Sequence, residues 1–177
     1  MEEEKVLLNA TVCLLVKSNE VLLGLKTKKI GAGCRNGYGG GVEIGESVIN
    51  AAIRELEEET GKKIGNKFIT TLPEHLEKVA IVYFHNTKSD GQTFVCRVHF
   101  FIVRVWFGEA IDTDEMENLL PFNINNLPFD QMMPADREYF PLILNGKKII
   151  AKAKYGPYQK ELLEEVIIQE VNSFPED

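Results

Sequence analysis

The sequence has few cysteines and no long apolar run, and both absences narrow the class of protein. Its 177 residues include three cysteines, Cys13, Cys34 and Cys96. An odd number without metal-ligand spacing is typical of a reducing cytosol. The apolar stretch Val6–Val16 is interrupted by two polar residues and follows three glutamates, whereas a membrane span needs about 20 apolar residues and a signal peptide begins with basic ones. We therefore expect a cytoplasmic protein with no membrane partner.

The sequence also lacks a basic segment that could hold a nucleic-acid polymer. Its 20 lysines and arginines stand against 27 acids, which gives a net charge of -7. Proteins that bind a run of phosphates concentrate basic residues on one face, so no nucleic-acid partner is expected. The acids are unevenly placed, because Glu43–Glu59 holds six glutamates and one base, Arg54, a local charge of -5. So local an excess requires a chemical reason.

The chain is predicted to form one domain over residues 1–177, because no repeat or low-complexity linker divides it. Runs rich in β-branched and aliphatic residues, bounded by turn residues, predict several strands. These are Leu7–Lys17, Glu20–Lys26, Lys78–His85 and Gln92–Trp106. One short helix is expected between Pro121 and Pro141, while segments 147–154 and 165–171 fit either strands or a final helix. Strands around at least one long helix indicate an α+β or α/β sandwich.

The clearest helix spans Ser47–Thr60 and carries most of the acidic excess. Its first residue is a favourable N-cap, and Gly61 is a favourable residue just beyond its end. Glu55, Glu58 and Glu59 stand at i, i+3 and i+4, so their side chains project from one face. Close carboxylates are expected where magnesium binds. Taken alone, these three glutamates are equally compatible with a solvated acidic helix face.

The spacing around these glutamates matches a known motif. Five residues separate Gly40 from Glu46, seven separate Glu46 from Arg54, and the segment from Arg54 to Gly61 reads Arg-Glu-Leu-Glu-Glu-Glu-Thr-Gly. This pattern resembles the Nudix box, in which a glycine, five residues, a glutamate and seven residues precede Arg-Glu-aliphatic-any-Glu-Glu-any-Gly. Lys62 stands where the family usually has an aliphatic residue, which we interpret as a variation in packing.

The resemblance implies a fold and a chemistry. The implied fold is α+β, an αβα sandwich with a central mixed β-sheet and a catalytic strand-loop-helix. The implied chemistry is magnesium-dependent hydrolysis of a nucleoside diphosphate linked to another group, with manganese as an alternative metal. By motif position, Arg54 orients the glutamates and Glu46 supports the junction between loop and helix. The implied metal ligands are the carbonyl of Gly39 and the carboxylates of Glu55, Glu58 and Glu59, and each of these glutamates is a candidate general base.

Further segments carry a closer resemblance. They are Val21–Lys26, Gly31–Gly33, Asn36–Gly40, Asp114–Met116 and scattered positions between Leu127 and Leu142. All are similar to the MutT-type branch of the family, which hydrolyses oxidised purine nucleoside triphosphates such as 8-oxo-dGTP to a nucleoside monophosphate and pyrophosphate. The resemblance implies that Glu115 joins the metal ligands and that Lys26 binds the triphosphate. It also implies a base pocket lined by Thr11, Ile30, Asn36, Met116, Met133 and Asp136, with Tyr83 or His85 behind it.

The chain departs from that branch at the base pocket. Met133 and Ala135 stand where the branch has a tryptophan and the first of two consecutive aspartates, and Arg35 replaces a second tryptophan. We expect Asp136, in a pocket lined by methionine, to have a raised pKa, so that it both donates and accepts hydrogen bonds. The alternative for Asp136 is an N-cap of a short helix that begins near Arg137.

Other functions stay open at this point. Within the family, the substrate could be a dinucleoside polyphosphate, ADP-ribose, a nucleotide sugar or a capped RNA end, although the acidic composition disfavours RNA. From another class, a Nudix-like domain could bind a nucleotide without hydrolysing it. The intact set of glutamates disfavours that reading, since a pure binder does not need such a costly cluster of charge. The sequence is compatible with a monomer or a homodimer.

Overall fold

The computed structural model describes residues 6–175. Within that range the chain forms 11 strands and two α-helices, with single 3-10 turns at 73–75, 129–131 and 157–159. The strands up to the first helix are β1 (Asn9–Lys17), β2 (Glu20–Lys26), β3 (Arg35–Asn36) and β4 (Tyr38–Gly41), followed by α1 (Val48–Thr60). Then come β5 (Ile69–Thr70), β6 (Leu76–Thr87), β7 (Thr93–Val103), β8 (Phe107–Gly108), β9 (Met116–Asn123), α2 (Asp136–Leu144), β10 (Ile149–Lys154) and β11 (Ile167–Glu170).

Nine of the strands described within residues 6–175 form one mixed sheet. Its order is β11-β10-β6-β7-β1-β2-β3, with β4 also paired to β1 and β9 to β2. The β1–β7 and β10–β6 pairs are parallel and the others antiparallel. The remaining two strands, β5 and β8, pair with each other. Helices α1 and α2 pack on opposite faces of the large sheet, so the predicted αβα sandwich is confirmed.

Alternation along β1 divides the interior into two cores. Leu14 and Val16 contribute to the core beneath α2, together with Phe140 of that helix. Cys13 and Leu15 point the other way, into the core beneath α1. Successive side chains of a strand point to opposite faces, so a residue's position along β1 decides which helix it faces. This division matters for the site, because the residues predicted to bind the nucleotide are distributed over several strands.

Helix α1 begins and ends where the sequence predicted. The Oγ of Ser47 accepts a hydrogen bond from the Asn50 N–H at 3.1 Å, which satisfies one of the free amides of the first turn. Gly61 follows the last helical residue with φ of 133°, and its N–H reaches the carbonyls of Glu57 and Glu58. A Cβ atom on Gly61 would collide with Ile111 and with the backbone of the following loop, so glycine is required there.

Elsewhere the structure refines the predictions. The two ambiguous C-terminal segments are strands, β10 and β11, and the strand β9 was not anticipated. The short helix expected between Pro121 and Pro141 begins at Asp136 and continues past Pro141 to Leu144. No helix within residues 6–175 is both long and apolar enough to cross a membrane.

Candidate metal and nucleotide site

Arg54, on α1, is the hub of the acidic cluster. Its Nε and Nη2 donate to the two carboxylate oxygens of Glu46 at 2.8 and 2.9 Å. Its Nη1 donates to Glu55 at 2.8 Å and to Glu58 at 3.3 Å. Nη2 also donates to the carbonyl of Gly41 at 2.9 Å, so all five guanidinium N–H bonds are used. The hydrogen bonds to Glu46 are the main reason why the pKa of Arg54 is raised and that of Glu46 lowered.

Glu59 is the most buried member of the cluster. Its Oε2 accepts a hydrogen bond from the Gly39 N–H at 3.1 Å. Burial raises the pKa of Glu59 to about 8, and the charges of Glu55 and Glu115 act in the same direction, whereas the Gly39 amide and Lys26 oppose them. The contact that the structure shows for Gly39 is thus made by its amide, and the role of its carbonyl stays a prediction.

The glycine-rich strand β4 approaches the helix closely because it has no side chains there. A Cβ atom on Gly40 would lie 2.5 Å from the carboxyl carbon of Glu55, and one on Gly39 would overlap the backbone of Thr11. Real Cβ atoms essentially never come so close to other heavy atoms, so these positions admit only glycine without a shift. The glycine at the start of the motif therefore sets the distance between β4 and the glutamates.

Two further charged residues reach the cluster from β2 and β9. Glu115, just before β9, pairs with Lys29 of the loop after β2 at 3.0 Å. Lys26, the last residue of β2, forms no ion pair with any residue that the structure describes. Burial lowers the pKa of Lys26, while the charges of Glu59 and Glu115 act against that shift. A half-buried ammonium next to carboxylates, without an ion-pair partner among residues 6–175, suits an anion that arrives together with a metal.

The donor set fits a hard divalent cation. No three acidic, histidine or cysteine side chains among residues 6–175 are already grouped as a metal site, because Glu55 and Glu58 are turned toward Arg54 and Glu115 toward Lys29. Carboxylate oxygens are nevertheless the ligands that magnesium prefers. Burial, together with neighbouring carboxylates, raises the pKa values of Glu55 and Glu59, and a bound cation would relieve the repulsion between these groups.

Asp136 lies at the start of α2, on the other face of the sheet. Its Oδ1 accepts a hydrogen bond from the Tyr139 hydroxyl at 2.8 Å and its Oδ2 from the Met133 N–H at 3.1 Å. Burial raises the pKa of Asp136 to about 7, against the effect of these two hydrogen bonds. The raised pKa confirms the sequence prediction. The alternative role as N-cap is not supported, since Ala135 occupies that position and makes no side-chain cap.

The loop after β2 runs from the cluster toward the start of α2. A Cβ atom on Gly31, the neighbour of Ile30, would lie 3.6 Å from both Lys26 Cδ and Met133 Sδ. Asn36, farther along, accepts the N–H of Gly37 through its Oδ1 at 2.7 Å. Two of the residues predicted to contact substrate, Lys26 and Met133, thus lie together at this loop, which also contains Ile30.

Two further predicted pocket residues belong to β9 and β1. Met116, the first residue of β9, packs with Cys13 and Tyr38 in the core beneath α1. Its contact with substrate stays a prediction. Thr11 has the same parity along β1 as Cys13. Its buried hydroxyl has no hydrogen-bond partner among the described residues, and its contact with substrate stays a prediction.

Phe84 of β6 packs against the core beneath α2. Its ring stacks on Tyr155, with 6.0 Å between centroids and 18° between planes. The place of Tyr83 or His85 behind the base pocket stays a prediction. Sequence reasoning did not single out Tyr155, which directly follows β10.

Arg35 has a structural role in place of the stacking surface that a tryptophan would offer. Its guanidinium is buried and donates to the carbonyls of Leu23 and Asn118 at 3.3 and 2.5 Å and to Gln131 Oε1 at 3.3 Å. It also lies over the ring of Phe122. Arg35 therefore ties β3, β2 and β9 to the segment that leads to α2.

Comparison with known proteins decides the family. The family model described as NUDIX domain matches residues 6–143. The chain belongs to the Nudix family. This Nudix chain is 36% identical over 145 residues to the oxidized purine nucleoside triphosphate hydrolase of Danio rerio. The matched segment covers 82% of this chain and 85% of the relative. It is 31% identical over 164 residues to the protein of the same name from Mus musculus, covering 93% and 96%.

Solved Nudix structures support the same fold. A mutator MutT protein from Bacillus halodurans superposes with a TM-score of 0.74 at 24% identity, covering 92% of this chain and 97% of that one. A MutT NUDIX hydrolase from Burkholderia pseudomallei superposes with a TM-score of 0.61 at 24% identity, covering 80% and 98%. At this identity the two structures show that their fold is similar to that of this chain. Nudix hydrolases generally use divalent metal ions.

Proposed function

We propose that this Nudix protein hydrolyses oxidised purine nucleoside triphosphates, in a magnesium-dependent reaction that releases a nucleoside monophosphate and pyrophosphate. The observation that carries the proposal is the glutamate cluster organised by Arg54 beside the half-buried Lys26, which has no ion-pair partner in the described part of the chain. The curated relatives named oxidized purine nucleoside triphosphate hydrolase support the choice of substrate. A cytoplasmic monomer or homodimer that binds no nucleic-acid polymer completes the proposal.

The residues that would hold magnesium are the carboxylates of the cluster. Glu55, Glu58 and Glu59 contribute from α1 and Glu115 from the loop before β9, with the carbonyl of Gly39 as a further ligand. When bound, the cation neutralises phosphate charge and makes water a better nucleophile at neutral pH. In this role the carboxylates of Glu55 and Glu58 would interact with both Arg54 and the cation. The bidentate contact with Glu46 would keep the guanidinium in place.

The chain's own cations and polar groups position the nucleotide. Lys26 binds the triphosphate, because its half-buried side chain lies next to the glutamates and has no competing ion-pair partner in the described chain. Ile30 and Met133 border the path to the base, and Asn36 and Asp136 provide the polar groups that read its edge. A buried polar group left without a partner by the wrong base penalises binding strongly.

Pyrophosphate release from a nucleotide panel tests the substrate class. The panel consists of 8-oxo-dGTP, 2-hydroxy-dATP, dGTP, ADP-ribose and a diadenosine polyphosphate, each with magnesium, with manganese and with chelator. We expect the oxidised purine triphosphates to have the highest kcat/KM and turnover to stop with chelator. If ADP-ribose or the dinucleotide were preferred, the substrate proposal would be wrong while the metal site would stand. No turnover of any nucleotide would indicate a domain that only binds.

Charge-removing substitutions on α1 test the metal ligands. Glu58→Gln and Glu59→Gln are expected to lower kcat by about 10²-fold or more, because each removes charge stabilisation at the reacting phosphate. Glu57→Gln is the matched control. Glu57 directly precedes them in sequence but pairs with Lys62 at 2.7 Å and accepts the Thr70 hydroxyl at 2.7 Å. Near-normal kcat in both test variants, or an equal loss in the control, would contradict the assignment.

A further inference from the structure

The hydroxyl of Tyr155 is fixed beside Asp136 by several contacts. It accepts a hydrogen bond from the Ala135 N–H at 2.8 Å, and its ring stacks on Phe84. The Tyr155 N–H donates to the carbonyl of His85 at 2.8 Å, which attaches the residue to β6 just past the end of β10. A rigid aromatic residue held at both ring and backbone places its hydroxyl with little freedom.

The proton of that hydroxyl has no acceptor among the described residues. Every hydrogen bond of the Tyr155 hydroxyl in the described structure is one that it accepts, from Ala135. The charge of Asp136 and that of Cys34 both contribute to raising the pKa of Tyr155, after burial, so the hydroxyl lies near the start of α2 and the loop after β2. A buried donor without an acceptor is unfavourable, and a ligand that enters between these two segments would supply one.

We propose that Tyr155 is a specificity-determining residue whose hydroxyl donates a hydrogen bond to an exocyclic carbonyl of the purine. The inference rests on the proposed function and adds a preference to it. The Ala135 N–H already uses the oxygen as an acceptor, which leaves the hydroxyl to act as a donor toward the base. A carbonyl at purine position 6 or 8 accepts such a bond. An amino group at the same position is itself a hydrogen-bond donor, so it would not accept a hydrogen bond from the hydroxyl.

Paired substrates combined with one substitution test this inference. The pairs are dITP against purine deoxyriboside triphosphate, which lacks the 6-carbonyl, and 8-oxo-dGTP against dGTP, which lacks the 8-carbonyl. In Tyr155→Phe we expect kcat/KM for the carbonyl-bearing member of one pair to fall about three- to tenfold more than for its partner, the effect of one neutral hydrogen bond. The pair that responds identifies the carbonyl. Tyr158→Phe, at a half-exposed ring, removes a hydroxyl elsewhere and should leave both ratios unchanged.

The outcomes separate this inference from the proposed function. If kcat/KM fell equally for both members of each pair, Tyr155 would only support the backbone at Ala135, and the inference would be overturned. If Tyr155→Phe does not fold, the wild-type protein decides, since it must prefer the carbonyl-bearing member of at least one pair. Calorimetric binding of the corresponding monophosphates gives a readout that needs no hydrolysis. Wild-type protein that releases no pyrophosphate refutes the proposed function, whereas an active enzyme without the Tyr155 effect refutes only this inference.

Discussion

Arg54 shows how one residue can organise a cluster of like charges. Three glutamates project from one face of α1 and repel one another, yet a guanidinium with five donors in a fixed plane contacts Glu46, Glu55 and Glu58 at the same time. A lysine ammonium is a point charge with three donors and could not reproduce the bidentate contact with Glu46. The arginine of the motif is therefore explained by geometry as much as by charge.

Asp136 gives a prediction at the same scale. Its pKa is about 7 in the folded protein and 3.8 for an ordinary aspartate, so the folded state keeps a proton that the unfolded chain has already released. The contribution of Asp136 to the free energy of unfolding should therefore fall as pH rises from about 4 to 7, by up to about 4 kcal/mol. Asp136→Asn removes this contribution. In urea unfolding, we expect the free energy of unfolding of the variant minus that of wild type to be larger at pH 8 than at pH 5.

Taking the difference in free energy of unfolding between variant and wild type at each pH controls for the other groups that titrate. Glu55 and Glu59 also have raised pKa values because of burial, but they titrate in both proteins and cancel in the difference. A difference between the two proteins that is the same at both pH values would mean that Asp136 is ionised in the fold. In that case it could not donate a hydrogen bond to a base.

At the scale of elements, the approach of β4 to α1 determines the position of the glutamates. Gly40→Ala would put a Cβ atom 2.5 Å from the carboxyl carbon of Glu55, at a backbone conformation that alanine can adopt. We expect the protein to fold while the carboxylate moves, with a loss in kcat of about 10²-fold, since a displacement of about 1 Å is enough for that. Gly156→Ala, which meets only the side chains of Glu161 and Leu163 at 3.3 Å or more, is the matched control. Unchanged kcat in Gly40→Ala would show that this approach does not matter.

Local signals explain which elements the sequence could predict. Helix α1 was predicted at both ends because Ser47 and Gly61 act through hydrogen bonds within one turn. The strand β9 was missed because its contacts are with β2, about a hundred residues earlier in the chain, and it contains Pro121. The bulge between Lys78 and Ala80 shifts the pairing of β6 with β7. A shift of one residue exchanges the two faces of a strand, so no local pattern predicts the register of this pair.

The site was predictable to the extent that it lies within one continuous motif. The glutamates of α1 are brought together by helical spacing alone. The Lys29–Glu115 ion pair and the Ala135–Tyr155 hydrogen bond depend on which strands become neighbours, and no local pattern encodes that. The base pocket could be inferred only by resemblance, and the roles of its lining residues stay predictions.

For the molecule as a whole, net charge changes meaning once the structure is known. The chain carries -7, of which -5 lies between Glu43 and Glu59. Four of these six acids, Glu46, Glu55, Glu58 and Glu59, contact one arginine or the glycine-rich strand instead of being spread over a solvated surface. Self-repulsion at this place lowers the stability of the fold, and any cation that binds there stabilises it.

Magnesium should therefore raise the melting temperature of the protein in a way that depends on the cluster. At a concentration about ten times the dissociation constant, linkage predicts about 1.4 kcal/mol of stabilisation, which corresponds to roughly 3–6 °C for a chain of this size. Calorimetric scans with MgCl₂ and with NaCl at equal ionic strength separate binding from screening, because sodium screens charges without occupying the site. Glu59→Gln should lose most of the magnesium-specific shift, whereas Glu57→Gln, whose carboxylate faces Lys62 and Thr70, should keep it. Equal shifts in the two salts would mean that the cluster is a screened acidic surface, and the metal assignment would fail with it.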